Sequence, residues 1–210
     1  MSTPLRQSPP DPATHVDQRV RLHGIAWKDY EAILAMRGES AGVRITYLDG
    51  ELELMTPSLD HEAWKTRLAR LIEAWAEERG VELEGYGSWT VRSEAAGRGV
   101  EADECYVVGV PVAEPKRPDI AIEVIRSSGG IDKLEVYRGL GVPEVWFYED
   151  GTLRFHLLRG GAYIPSPRSA RLADLEPTLI ARFMAGGTQS QAVKELRAAL
   201  RDEKGTGASQ

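Results

Sequence analysis

Glu101-Ala-Asp103-Glu-Cys105 and, further on, Pro118-Asp-Ile-Ala-Ile-Glu123-Val-Ile125 decide how this chain is read. The second stretch alternates as a strand does: Ile120, Ile122 and Val124 face one way, Asp119, Ala121, Glu123 and Ile125 the other. An ionised carboxylate in such apolar company is strongly disfavoured unless it is paired, hydrogen-bonded or bound to a metal. Asp103 opens one short apolar strand, and Glu123 lies within another twenty positions later. The pair is therefore expected to hold a divalent cation. Asp119 is excluded as the partner of Glu123, because four residues at about 3.3 Å each separate them by about 13 Å along one strand. Asp103, on a neighbouring strand about 4.8 Å away, can converge with Glu123. Small Ala121, on the same side, leaves room for the ion and its waters.

Composition narrows the chemistry. With 210 residues, 42% hydrophobic and 28% charged, the chain can bury one sizeable core. A single cysteine rules out an internal disulfide, and four scattered histidines build no Cys/His zinc site, so a metal must be hard and oxygen-bound. Mg²⁺ meets that description, taking one or two carboxylates with water and substrate phosphate. The net charge of −6 argues against wrapping nucleic acid by long-range attraction. Lys65, Arg67, Arg70, Arg92, Arg98, Lys116, Arg117 and Arg126 can supply a local basic rim, or serve as ordinary surface charge. No run approaches the roughly 18 to 20 apolar residues of a bilayer span, and the opening Met-Ser-Thr-Pro-Leu-Arg lacks the core of a signal peptide. A cytoplasmic protein without membrane contact is expected.

Periodicity gives the organisation. Four prolines among polar neighbours make residues 1–18 a disordered tail, 19–203 a single domain, and 204–210 a second tail. A short amphipathic helix is expected within 24–37, then a hairpin turning at Asp49-Gly50, then the longest helix over 60–79, stopped by Gly80. Strands follow over 81–87, 89–93, 103–110 and 119–125, with 95–99 as a flexible loop. A helix over 131–140, a buried strand over 143–148, an antiparallel meander and closing helices over 178–184 and 189–201 complete the order. The fold class is α/β, a central mixed sheet flanked by helices, with the N-terminal helix and hairpin at one end and helices at the other. No Gly-rich phosphate loop is present: Gly85-Tyr-Gly87 and Ser128-Gly-Gly130 are too short and lack the lysine.

An Asp opening one strand, a Glu within the next and a lysine close behind resemble the PD-(D/E)xK nuclease superfamily. Leu48-Asp-Gly-Glu51, Thr56-Pro-Ser-Leu-Asp-His61, Asp132-Lys-Leu-Glu-Val-Tyr137 and Gly141-Val-Pro-Glu-Val-Trp146 add to the two opening stretches. Together they are similar to a restriction-endonuclease-like family of uncharacterised bacterial proteins, abundant in cyanobacteria, over roughly residues 25 to 200. The resemblance implies that Asp103 and Glu123 bind the metal. Two positions depart from its pattern: Ala102 stands where a proline is usual, and Ile125 where the lysine is usual. Lys133, in the first turn of the next helix, is the nearest replacement. The resemblance makes Glu51 an accessory acid, while His61, at the start of the long helix, can hold a water or a phosphate. Cys105 reads as a small buried hydrophobe.

These readings predict a Mg²⁺-dependent nuclease of DNA, with Mn²⁺ able to substitute. The resemblance implies products with a 5′-phosphate and a 3′-hydroxyl, and it makes a homodimer, which the exposed loops allow, a further expectation. Ile125 and the acidic net charge keep open a catalytically degenerate protein that binds or regulates nucleic acid. A metal-independent small-molecule hydrolase using the two acids as a general acid/base pair is a third class.

Overall fold

Two sheets, rather than one, organise the chain in the computed structural model, which describes residues 16–207 apart from 39, 41, 112, 127 and 128. The first sheet is antiparallel. It holds β1 (Gln18–Leu22), β2 (Arg44–Leu48), β3 (Glu51–Thr56), β5 (Thr90–Ser93) and β6 (Arg98–Glu101) in the order β1-β3-β2-β6-β5. The second holds β4 (Leu83–Gly85), β7 (Glu104–Val108), β8 (Ile120–Ile125), β9 (Glu144–Glu149), β10 (Thr152–Arg159) and β11 (Ala162–Ser166), ordered β11-β10-β9-β8-β7-β4. This second sheet is the mixed one: β8 and β9 run parallel, joined by helix α3 (Lys133–Leu140), and the other pairs are antiparallel. Helices α1 (Trp27–Arg37), α2 (Leu59–Arg79), α4 (Pro177–Arg182) and α5 (Gln189–Gly207) complete the architecture.

The alternation read from β8 places its two faces in two cores. Ile120, Ile122 and Val124, with Trp146 and Tyr148 of β9, pack on Leu68, Leu71, Ile72 and Trp75 of α2 and on Leu196 and Leu200 of α5. Each such side chain, taken fully out of water, contributes about 1.5–3 kcal/mol. On the other face Ala121, Val145 and Phe147 meet Val136 and Tyr137 of α3 and Val100 of the first sheet. A third core joins Tyr30 and Leu34 of α1 to Ile45, Tyr47 and Leu52 of the hairpin. Helix α2 starts where Ser58 Oγ accepts the His61 N–H at 3.2 Å and stops at Gly80, which is left-handed at φ 69°.

Two strands lie where none is expected. β1 begins at Gln18, at the edge of the presumed tail, and most of its residues are exposed, so no apolar alternation marks it. β6 occupies the end of the presumed flexible loop: the chain turns tightly at Gly97, and Arg98 and Gly99 re-enter the first sheet, both buried. Gly99 must be glycine, because a Cβ there would lie 2.1 Å from Tyr30 Oη. At the other end α5 continues through Gly207, into the stretch read as a tail. Residues 1–15 and 208–210 lie outside the described residues. Among those described, no helix is long and apolar enough to cross a membrane.

Candidate functional site

The register of the second sheet brings the acids together. β7 and β8 pair Cys105 with Ala121 and Glu104 with Ile122, so one further step sets Asp103 opposite Glu123. Asp103 Oδ2 accepts the Val124 N–H at 2.8 Å, which ties its carboxylate to the backbone beside Glu123. Both acids are buried, at 1% and 4% exposure. Burial pushes Glu123 up to about 7; Lys133 and the Tyr137 hydroxyl oppose this, and the nearby Asp103 charge reinforces it. Burial acts on Asp103 in the same direction, but His61, Lys133 and the Val124 N–H outweigh it and hold its carboxyl below the usual range.

Helix α3 supplies the groups that face Glu123. Asp132 caps its start by accepting the Glu135 N–H at 3.2 Å, which puts Lys133 in the first turn and Tyr137 one turn on, on the same face. Lys133 Nζ lies 3.4 Å from each Glu123 oxygen, and Tyr137 Oη donates to Glu123 Oε1 at 2.5 Å. Lys133, the expected stand-in for the lysine absent at Ile125, is thus beside Glu123. Tyr137 escapes sequence reasoning, although the Lys-x-x-x-Tyr spacing on one helical face is a usable signal.

His61 is brought to Asp103 but not to solvent. It is 0% exposed, with Nδ1 3.0 Å from Asp17 Oδ2 and Nε2 3.0 Å from Asp103 Oδ1. Burial alone would lower its pKa; the two carboxylates outweigh that and hold it up at about 9. Burial likewise works against the Asp17 charge, but His61 and the Ser58 N–H bring that carboxyl down to about 2. A ring enclosed this way cannot hold a water or a phosphate, so the role expected of His61 is corrected. Asp17 carries no motif and falls in the presumed tail, which is why the sequence gives no hint of it.

A cavity of about 170 Å³ opens onto Glu123 between the two sheets. Its walls include Arg19, Glu53, Met55, Ile125, Gly130, Ile131, Lys133, Phe147 and Glu149. Glu53, not Glu51, is the hairpin acid found there. Glu53 is buried and accepts the Ile131 N–H at 3.1 Å, and a Cβ on Gly130 would come within 2.9 Å of its carboxylate. Glu51 points the same way from the strand, but further along, where it pairs with Arg21 and with His23 at 3.6 Å. Most of the expected basic rim is engaged elsewhere. Lys65 pairs with Glu62, Arg92 with Glu31, Arg98 with Asp49 and Glu135, and Arg126 with Asp60, while Arg67 donates to the carbonyls of Met184, Gly186 and Gly187. Cys105 Sγ donates to the Gly87 carbonyl, and burial pushes its thiol up to about 12.

Asp103 and Glu123 fit a hard divalent cation as its protein oxygens. Asp103 Oδ1 is buried without a well-aligned hydrogen-bond donor; its approaches to His61 Nε2 and, at 3.8 Å, to Arg44 Nε are ion-pair contacts. The mutual repulsion of the two acids is what a cation between them would relieve. Among the described residues no three or more His, Cys, Asp or Glu side chains gather as a fuller ligand set, so water and substrate oxygens would complete an octahedral shell.

The chain matches the sequence profile of the Uma2 family, described as "Putative restriction endonuclease", over residues 27–185. Among solved structures it is similar to that of a "putative nuclease" from Anabaena variabilis ATCC 29413, at 12% identity over 72% of this chain and 90% of that one, with a TM-score of 0.44. No curated protein matches it.

Proposed function

The chain belongs to the Uma2 family, and on that premise we propose that it is a Mg²⁺-dependent nuclease hydrolysing phosphodiester bonds of DNA. One observation carries the reading: Asp103 and Glu123 oppose each other across two strands, and Lys133 Nζ lies 3.4 Å from both oxygens of Glu123. In this proposal Asp103 and Glu123 hold the metal and Lys133 is the third catalytic residue. Bound Mg²⁺, or Mn²⁺ in its place, supplies a Lewis acid that polarises the phosphate and makes water a better nucleophile at neutral pH.

The remaining work falls to the chain itself. The Lys133 ammonium stabilises charge developing on the phosphate oxygens, and the Tyr137 hydroxyl fixes Glu123 Oε1. The Val124 N–H fixes Asp103 Oδ2. Glu53 replaces Glu51 as the accessory acid, lining the same cavity as Lys133. Products with a 5′-phosphate and a 3′-hydroxyl, a cytoplasmic setting, and a homodimer that serves two strands belong to the same proposal.

Supercoiled plasmid incubated with Mg²⁺ tests it. Wild type should nick the DNA, EDTA should stop it, and Asp103→Asn or Glu123→Gln should slow it by about 10²-fold or more, the scale on which a single charge-stabilising group matters. Cutting that survives EDTA, or either substitution in folded protein, rejects the assignment. A catalytically degenerate nucleic-acid-binding protein is the second reading, favoured by Ile125 at the usual lysine position. It predicts a mobility shift with DNA and no nicking at any metal concentration.

A further inference from the structure

We propose that Asp17 and His61 are positioning residues that set the orientation of the Asp103 carboxylate, an inference that rests on Asp103 being a metal ligand. The geometry is a chain of buried polar contacts drawn from three elements. Asp17, immediately before β1, accepts the Ser58 N–H on Oδ1 at 2.8 Å and faces His61 Nδ1 with Oδ2 at 3.0 Å. His61, in the first turn of α2, presents Nε2 to Asp103 Oδ1 at 3.0 Å. On its far side Asp103 is held by the Val124 N–H at 2.8 Å. Asp17, His61 and Asp103 are 6%, 0% and 1% exposed.

Complete burial decides the role of His61. A ring that no substrate can reach does not bind or transfer; it can only place what it touches. Its two nitrogens each face a carboxylate, so swinging the ring away would take a partner from each acid in a dry interior. Asp17 is in turn fixed by a backbone donor, which makes it the anchor of the chain. A partner that orients a ligand side chain from behind is the usual second layer of a metal site, and its loss lowers metal affinity by about 10–100-fold. Asp17 also lies ahead of the span that the family profile matches, residues 27–185. The proposed centre thus draws on a residue outside that span.

Two readouts on the full chain test this. In a crystal structure of Asp17→Ala the His61 ring should turn and its Nε2 should leave Asp103 Oδ1. An unmoved contact overturns the inference, whatever the protein is found to catalyse. In a Mn²⁺ titration followed by electron paramagnetic resonance, Asp17→Ala should bind about tenfold more weakly or worse. Asp17→Asn, whose carbonyl oxygen still accepts from Nδ1, should recover most of that loss. Glu78→Gln removes the ion pairs that hold the far end of α2 to α5 and leaves Asp17 on His61, so it controls for stability alone: its Mn²⁺ affinity should equal that of wild type. Equal weakening in Glu78→Gln and Asp17→Ala means that Asp17 acts only through folding and defeats the inference. Wild-type protein that neither binds Mn²⁺ nor cuts DNA defeats instead the nuclease reading beneath it.

Discussion

In the proposed centre, Lys133 separates holding the metal from using it. Replacing it with methionine keeps the aliphatic stem and removes the ammonium that faces both Glu123 oxygens. Lys133→Met should therefore slow plasmid nicking by about 10²-fold. Because the ammonium and a divalent cation compete for Glu123, the same variant should bind Mn²⁺ at least as tightly as wild type; weaker binding would mean that Lys133 shapes the ligand pair rather than the transition state. A second prediction concerns packing alone. Gly99→Ala places a Cβ against Tyr30 Oη, so Tyr30 must shift from its stack on Tyr47, at a cost of about 1–3 kcal/mol read from urea unfolding. At this scale the sequence is legible where desolvation makes a residue conspicuous. Asp103 and Glu123 stand out as acids in apolar strands, and the register alone brings them abreast. Glu51 and Glu53 cannot be told apart by periodicity, since both leave the strand on one side; the choice is made by Gly130, whose missing side chain admits the Glu53 carboxylate. Asp17 is invisible because a lone acid before an exposed strand has no pattern.

Elements are legible in proportion to the apolar surface they bury. Helix α2, with caps at both ends and a continuous stripe, and the hairpin at Asp49-Gly50 follow from spacing and turn chemistry. β1 and β6 do not: one is mostly exposed, and the other consists of Arg-Gly-Val-Glu, which becomes a strand only because β2 and β5 flank it. Charge also joins elements. Glu78 of α2 receives Arg201 and Arg197 of α5, and these guanidinium partners, Arg201 first, hold its carboxyl down at about 2. A carboxyl lowered in the folded state contributes stability that is present above its unfolded pKa, about 4.3, and is lost as pH falls through about 2. Glu78→Gln should accordingly flatten the acid limb of a Tm-against-pH curve and leave its alkaline limb unchanged. Salt should shrink the difference, since the pair is at the surface.

Across the whole molecule, the pairing of β7 with β8 brings the proposed ligands together, and groups from α2, α3 and the residue before β1 close around them, so the centre is complete only when both sheets are in place. Metal that binds the folded chain alone must then stabilise it: at a hundredfold excess over Kd, by about 2.7 kcal/mol. A thermal shift with Mn²⁺ that vanishes in Glu123→Gln is the expected result, and an equal shift in both proteins would place the ion elsewhere. The sequence conveys the mixed α/β class and the order of most elements. It does not convey the division into two sheets, because β6 joins its hairpin partner β5 to β2 through a pairing distant in sequence. The lone thiol at Cys105 has a practical use. Two residues from Asp103 and sealed beneath the seam of β7 and β8, it should stay inert to aromatic disulfide reagents until that seam parts. The rate of thiolate release then serves as a built-in chronometer of breathing at the acid pair, with no label attached, and Mn²⁺ should slow it.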